Sequence, residues 1–193
     1  MKIGVLALQG AFVEHAAMLR GLGVEAIEVR LASQLEGLDG LIMPGGESTT
    51  FAKLARAFGL IEPLRQFGRS MPVLGTCAGL VFMARDVGTE QDVLGILDVA
   101  VERNAFGRQV DSFEADLRVE GIEGEPFHGV FIRAPVVTKV GPDVEVICSL
   151  DDGRIVAVRS GHLVGTSFHP ELTRDPRFHE YFLKLVEQFS GER

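Results

Sequence analysis

The segment Met71–Leu80 carries the residue types best suited to covalent chemistry. Its centre is Gly75-Thr76-Cys77-Ala78-Gly79, set between an apolar pair, Val73 and Leu74, and a helical pattern that resumes at Leu80. A cysteine on a sharp strand-to-helix turn presents its sulfur as a nucleophile. The strained backbone of such a turn brings the residues two positions either side into contact, so both must be small. The N-terminus of the following helix carries partial positive charge, which favours a thiolate. Taken alone, the pentapeptide equally describes a buried cysteine beside packing glycines.

Two other segments could complete such a site. In Ser167–Leu172, Pro170 biases His169 towards an extended conformation. In extended chain, residues two apart point to the same side, so Glu171 can lie beside the His169 ring. Glu171 would then hold the imidazole tautomer, and His169 would accept the Cys77 proton. A lone His-Pro-Glu is more often a surface turn, so the reading depends on its company. Pro44-Gly45-Gly46-Glu47-Ser48-Thr49-Thr50 supplies that company, because two glycines let backbone N–H groups aim at a bound oxygen with no Cβ in the way. With the Ala78 amide, Gly46 could form an oxyanion hole. A turn in which Ser48 or Thr49 caps a helix through Phe58 is the plainer alternative, and both can hold together.

Composition narrows the classes of function. The chain has 193 residues, 46% of them hydrophobic, a length that predicts one domain over residues 1–193 with a substantial core. A net charge of −8 without a basic block disfavours nucleic acid. No stretch has the length of a membrane span. The N-terminal apolar run is cut short by Gln9 and Gly10, which reads as a first strand rather than a signal peptide, and a cytoplasmic protein is expected. Two cysteines, Cys77 and Cys148, make no disulfide framework, and no His/Cys spacing suggests a metal site.

The elements that would position these residues follow from patterning. Lys2–Leu8, a continuous apolar run, Val24–Val29 and Leu38–Met43 read as strands alternating with helical segments, Ala11–Arg20 and the segment through Phe58. That alternation predicts βαβ units around a parallel sheet, with ligands at the carboxyl ends of strands. The elbow helix is expected to run to about Asp86. From Gly95 onward the pattern turns to strands: Ile96–Val101, Phe113–Val119 and Gly129–Arg133, then a meander of Val144–Leu150, Ile155–Arg159 and Leu163–Phe168. Asp175–Phe189 reads as an amphipathic helix with Phe178, Phe182, Leu185 and Phe189 on its packing face. The fold class is therefore α/β: three layers, α/β/α, with a mainly parallel central sheet and a smaller antiparallel portion. His15, His128, His162 and His179 are assigned no chemistry, and Cys148 reads as a small core residue.

Gly-x-Cys-x-Gly, Pro-Gly-Gly and a late His-Pro-Glu, in that order, resemble the class I (triad) glutamine amidotransferases. Leu8-Gln9-Gly10, Pro44–Thr50, Gly75–Leu80, Val101–Gln109, Phe131–Pro135 and Ser167–Thr173 resemble more closely one family within them. That family is SNO, the glutaminase subunits of pyridoxal 5′-phosphate synthase, and the likeness runs essentially end to end. The resemblance implies a Cys77–His169–Glu171 triad and L-glutamine contacts from Gly46, Glu47, Ser48, Arg103, Ile132 and Arg133. The oxyanion hole expected from the backbone amides of Gly46 and Ala78 fits that triad. The chemistry of the substrate agrees. An α-carboxylate wants a cation such as Arg103 or Arg133, and Glu47 suits the α-ammonium. Surface ion pairing is the bland role for both arginines.

No metal or organic cofactor is needed for glutamine hydrolysis by this route. One α/β unit uses the whole chain, so the acceptor of the ammonia is expected on another polypeptide. The resemblance names it as the synthase subunit of a hetero-oligomeric complex, with no nucleic acid and no membrane involved. Three rivals stand beside this reading. They are a glutaminase subunit of another amidotransferase, a non-catalytic or stress-response module of similar fold, and a cysteine-elbow ester hydrolase.

Overall fold

A computed structural model describes residues 1–103, 105 and 112–191 of the chain. The described residues form twelve strands and five α-helices, and strands alternate with helices in the first half. The order there is β1 (Lys2–Leu6), α1 (Phe12–Gly21), β2 (Glu25–Val29), β3 (Gly40–Met43), α2 (Ser48–Ala57), α3 (Ile61–Ser70), β4 (Val73–Thr76) and α4 (Ala78–Met83). Strands then dominate: β5 (Ala84–Asp86), β6 (Leu97–Glu102), β7 (Ser112–Leu117), β8 (Phe127–Ile132), β9 (Val136–Val140), β10 (Glu145–Ser149), β11 (Ile155–Ser160) and β12 (Leu163–Thr166). The last helix is α5 (Arg177–Gly191), and short 3₁₀ turns occupy Ala32–Leu35 and Pro170–Leu172.

The main sheet runs β2-β1-β3-β4-β12-β11-β9-β6-β5, with β10 pairing β11. From β2 to β12 every pair is parallel, and β11 pairs antiparallel with β9, β10 and β12. β7 and β8 form a separate antiparallel ribbon. This is the mainly parallel sheet with an antiparallel part that the sequence predicts. The inner parallel strands β3 and β4 are buried along their whole length because helices cover both faces. Phe51, Leu64, Phe67 and Phe82, from α2, α3 and α4, pack on one face. Ala16 and Leu19 from α1, with Phe178 and Phe182 from α5, pack on the other. Burying one such phenylalanine contributes roughly 1.5–3 kcal/mol.

Strand order reverses at β1, whose neighbours are β2 and β3. Crevices outside strand carboxyl ends at such a reversal are where open α/β sheets hold ligands. Four loops meet at this edge: Gln9 after β1, Gly45 and Gly46 after β3, Cys77 after β4 and His169 after β12.

Three local readings of the sequence are corrected. The helix after the elbow ends at Met83, not near Asp86, because Phe82 and Met83 carbonyls accept from the Leu94 and Ile96 amides and Ala84 pairs with Leu97 in a strand. Strand β9 is not among the strands expected from the sequence, although Val136, Val137 and Val140 favour β structure. Ser48 and Thr49 do not cap α2. Glu47 does, its carboxylate accepting from the Thr49 amide at 3.0 Å and the Thr50 amide at 2.7 Å. Two carboxylate oxygens satisfy two orphan amides, which a single hydroxyl cannot.

Candidate active site

Cys77 has φ 47° and ψ −101°, a backbone conformation that residues with a Cβ rarely adopt. Its amide donates to the Thr166 carbonyl at 2.7 Å, and its own carbonyl accepts from Val81 at 3.1 Å. Those bonds hold the turn between β4 and α4. A Cβ on Gly75 would lie 2.7 Å from the Gly79 carbonyl carbon, and one on Gly79 only 2.0 Å from the Met43 carbonyl oxygen. Both glycines are thus sterically required. Strain of this kind points to function, since the surroundings must enforce it.

His169 projects from the turn after β12, its amide donating to the Val130 carbonyl at 2.8 Å. Its Nδ1 donates to Glu171 Oε1 at 2.7 Å. Glu171 lies in a 3₁₀ turn rather than in extended chain, so the contact arises from a tighter backbone than the sequence predicts. Burial works against a charged His169, but its hydrogen bonds to Cys77 and Glu171 outweigh that, and its pKa is pushed up to about 10. Burial likewise opposes the Glu171 carboxylate, yet His15 and His169 hold it below its ordinary value. The ring and the sulfur converge on Gly45, where a Cβ would sit 2.3 Å from His169 Cε1 and 3.3 Å from Cys77 Cβ.

A cavity of about 300 Å³ opens in front of the sulfur. Of the residues singled out in the sequence, Gly46, Glu47, Ser48, Cys77, Ala78, Arg103, Ile132, Arg133 and His169 line it. Glu171 does not, because it stands behind His169. Ala78 opens α4, where a first-turn amide has no intrahelical acceptor. The Ile132 carbonyl is 4.0 Å from Cys77 Sγ. Arg133 has φ 43° and an exposed side chain, with no ion pair among the described residues. Arg103 Nη1 donates to Ser48 Oγ at 3.3 Å, Thr49 Oγ1 at 3.0 Å and Gln91 Oε1 at 2.9 Å. All three acceptors are neutral, so the guanidinium is fixed in place with its charge available to an anion. Glu47 is held anionic, with a pKa of about 2, chiefly by the Thr50 hydroxyl.

Several contributors were missed. Gln9, Val81 and Pro135 also line the cavity, and Gln9 Oε1 accepts from the Glu47 amide at 3.0 Å. Gln91 helps hold Arg103 from the segment before β6, which no local pattern signals. His15 and His179, given no chemistry above, are fully buried behind Glu171. Cys148 is buried, with its thiol pushed up to about 11 by that burial. The Asn104 and Phe106–Gln109 part of the Val101–Gln109 motif lies outside the described residues. Among the described residues no cluster could hold a metal, and no helix is long and apolar enough to cross a membrane.

Comparison with known proteins gives the same direction. The family model described as SNO glutamine amidotransferase matches residues 5–188. The pyridoxal 5′-phosphate synthase subunit PdxT of Moorella thermoacetica is 55% identical over 188 residues, covering 96% of this chain and 100% of that protein. Its counterpart in Herpetosiphon aurantiacus is 56% identical over 190 residues, with the same coverage of 96% and 100%. A crystal structure of a glutamine amidotransferase superposes with a TM-score of 0.90 at 54% identity, covering 96% and 98% of the two chains. PurLQS from Thermotoga maritima, at 18% identity, coverage of 96% and 98% and a TM-score of 0.67, shares the fold alone.

Proposed function

Since the chain belongs to the SNO glutamine amidotransferase family, we propose that it is the glutaminase subunit of a pyridoxal 5′-phosphate synthase, hydrolysing L-glutamine to L-glutamate and ammonia. The observation that carries this reading is Cys77, held at φ 47° at the end of β4 beside a His169 that Glu171 grips at 2.7 Å. The Cys77 thiolate, its proton already on His169, attacks the side-chain amide carbon. Backbone amides near Gly46 and at Ala78 hold the oxygen of the tetrahedral intermediate. The carbon–nitrogen bond then breaks, with the His169 proton leaving on ammonia. A glutamyl thioester remains. Water, deprotonated by His169, attacks it, releasing glutamate and restoring the sulfur.

Substrate orientation falls to the cavity's polar walls. Arg103 and Arg133 receive the α-carboxylate, Glu47 the α-ammonium, and Ser48 with the Gly46 and Ile132 backbone completes the contacts. None of these steps uses a metal or an organic cofactor. A cysteine nucleophile also suits the reducing cytoplasm.

The released ammonia goes to a synthase subunit in a hetero-oligomeric complex. The Gly45-Gly46 segment is tied to the loop after β1, Ala11 donating to the Gly45 carbonyl at 3.0 Å and Glu47 to Gln9 at 3.0 Å. Docking on these loops would reset the oxyanion amides and so couple hydrolysis to demand. The isolated chain is expected to be a weak glutaminase that the synthase subunit activates. The decisive experiment is glutamine hydrolysis with the synthase subunit present, comparing the parent chain with Cys77→Ala. Activity vanishes with the melting temperature unchanged if the reading is right. Hydrolysis that survives the substitution defeats it, as do equal rates with and without the synthase for the coupling.

A further inference from the structure

Behind the proposed triad lies a chain of buried polar groups that the reaction scheme above leaves unused. Glu171 has one carboxylate oxygen, Oε1, on His169; the other, Oε2, has no well-aligned hydrogen bond and no exposure. His15 Nε2, on α1, faces Oε2 at 3.3 Å and Thr76 Oγ1 at 3.2 Å. His15 Nδ1 in turn lies 2.9 Å from Nε2 of His179, on α5. Both imidazoles have no solvent exposure. Each is neutral near pH 7, because burial lowers His15 and takes His179 down to about 3.

Neutrality leaves each ring one proton, and only one arrangement satisfies the contacts. Ionised Glu171 can only accept, so the favoured tautomer of His15 carries its proton on Nε2, which bonds to Thr76 Oγ1 and lies 3.3 Å from Glu171 Oε2. His15 Nδ1 is then a bare acceptor, and His179 must donate to it from Nε2. His179 Nδ1 is left as a bare lone pair, and it is indeed one of the buried atoms without a partner. The opposite pair of tautomers would aim a lone pair at the carboxylate. A buried carboxylate oxygen with no donor is costly.

We infer that His15 is a positioning residue for this reaction, gripping the rear oxygen of Glu171 so that the front oxygen stays on His169. The inference rests on the glutaminase reading above. Thr76 precedes Cys77 in the chain, so the same proton of His15 also ties the nucleophile's strand to the carboxylate. The groups facing His15 are Glu171 and His169 from the turn after β12, His179 from α5, the Thr76 hydroxyl from β4 and Glu14 on its own helix.

Two amides of different reach test this. In His15→Gln the side-chain nitrogen can occupy the Nε2 position and still donate to Glu171. In His15→Asn it stops near the Nδ1 position. In the complex with the synthase subunit, Gln keeps kcat within about threefold, whereas Asn lowers it about 10- to 100-fold with KM for glutamine unchanged. The acid limb of kcat/KM moves to higher pH in Asn, because its carboxylate has lost a donor that favours ionisation, and stays put in Gln. Should Asn not fold, His15→Ala takes its place. Equal losses in Gln and Asn, or an unmoved acid limb, overturn the inference and leave His15 as core filling. A parent complex that shows no glutaminase activity instead overturns the reading of function, whatever the variants do.

Discussion

Gly45 and Gly46 are neighbours in the chain and belong to different parts of the site. Gly45 is buried in the wall behind the sulfur, pressed against the His169 ring; Gly46 is exposed at the rim, where a Cβ would meet the movable end of the Gln9 side chain. The contrast extends to their surroundings. Cys77, His169 and Glu171 are each no more than 6% exposed, whereas Glu47, Ile132 and Arg133 stand open to solvent. The wall is fixed by backbone geometry and by contacts no side chain could yield. The rim is held by one amide on Gln9 and by a helix cap. Bond-making groups must be pre-organised before substrate arrives. Groups that recognise the substrate's far end can settle on binding, and the rim is where a partner subunit could act.

The sharpest way to break this contrast is to place one methyl on each glycine. Gly45→Ala forces the His169 ring away from the sulfur, and a displacement of that order costs about 100-fold or more in kcat. Gly46→Ala meets only a flexible amide, and activity is expected to stay within about tenfold, with the Gly46 N–H retained. Steady-state glutaminase kinetics on both, with the synthase subunit present, decide the matter. Comparable losses at the two positions would erase the distinction between wall and rim.

A second test asks whether the rim only binds. Arg133→Ala is expected to raise KM for glutamine by about 10- to 100-fold while kcat changes little, because a carboxylate contact far from the scissile bond favours ground state and transition state alike. Arg103→Ala should do the same and also loosen Ser48 and Thr49, to which its guanidinium donates. A fall in kcat at unchanged KM for Arg133 would place it among the reacting groups instead.

The wall was far more legible in the sequence than what supports it. Cys77 with glycines two residues either side is a local signal, because the steric demand of the turn acts within the pentapeptide. His169-Pro170-Glu171 is equally local. The βαβ rhythm needed only apolar periodicity. By contrast, the grip of His15 on Glu171 spans most of the chain, and a histidine on a helix face looks the same whether it fills space or holds a carboxylate. Gln91 reaches Arg103 across a fold that the sequence does not spell out. The Glu47 cap was missed for another reason. Serine and threonine follow it directly and are preferred caps, and only the path of the chain shows that the carboxylate takes both amides. The end of α4 was set by the Leu94 and Ile96 amides, which lie outside the helix.

A third test reads the wall through stability. His169 has a pKa raised from the ordinary imidazole value of 6.5 to about 10, so the folded state holds that proton more tightly than the unfolded chain does. The resulting stabilisation is complete below about pH 6.5 and is lost as pH rises through about 10. Melting temperature should therefore decline across that window in the parent chain. In Cys77→Ala the decline should be shallower, since the hydrogen bond to Cys77 is the largest influence raising His169. Parallel curves for the two proteins would mean that the histidine and the sulfur do not share a proton in the resting site.

The smallest effect belongs to the rim. Glu47 caps α2 through two backbone amides and the Thr50 hydroxyl, and it is largely exposed. Replacing it with glutamine removes the charge and leaves one oxygen to serve two amides. A cap of this kind is worth about 1 kcal/mol, and solvent screening brings the expected cost of Glu47→Gln to about 0.5 kcal/mol. The sign with pH is opposite to that of His169. Glu47 has a pKa lowered from 4.5 to about 2, so its contribution is present above about pH 4.5 and lost as pH falls through about 2. The gap in stability between the parent chain and Glu47→Gln should accordingly close over that acid window, as chemical denaturation at a series of pH values would reveal. A gap that persists at pH 2 would show that the cap acts through shape alone. No gap at neutral pH would show that the rim needs no cap at all, with the Gln9 amide sufficient to hold it.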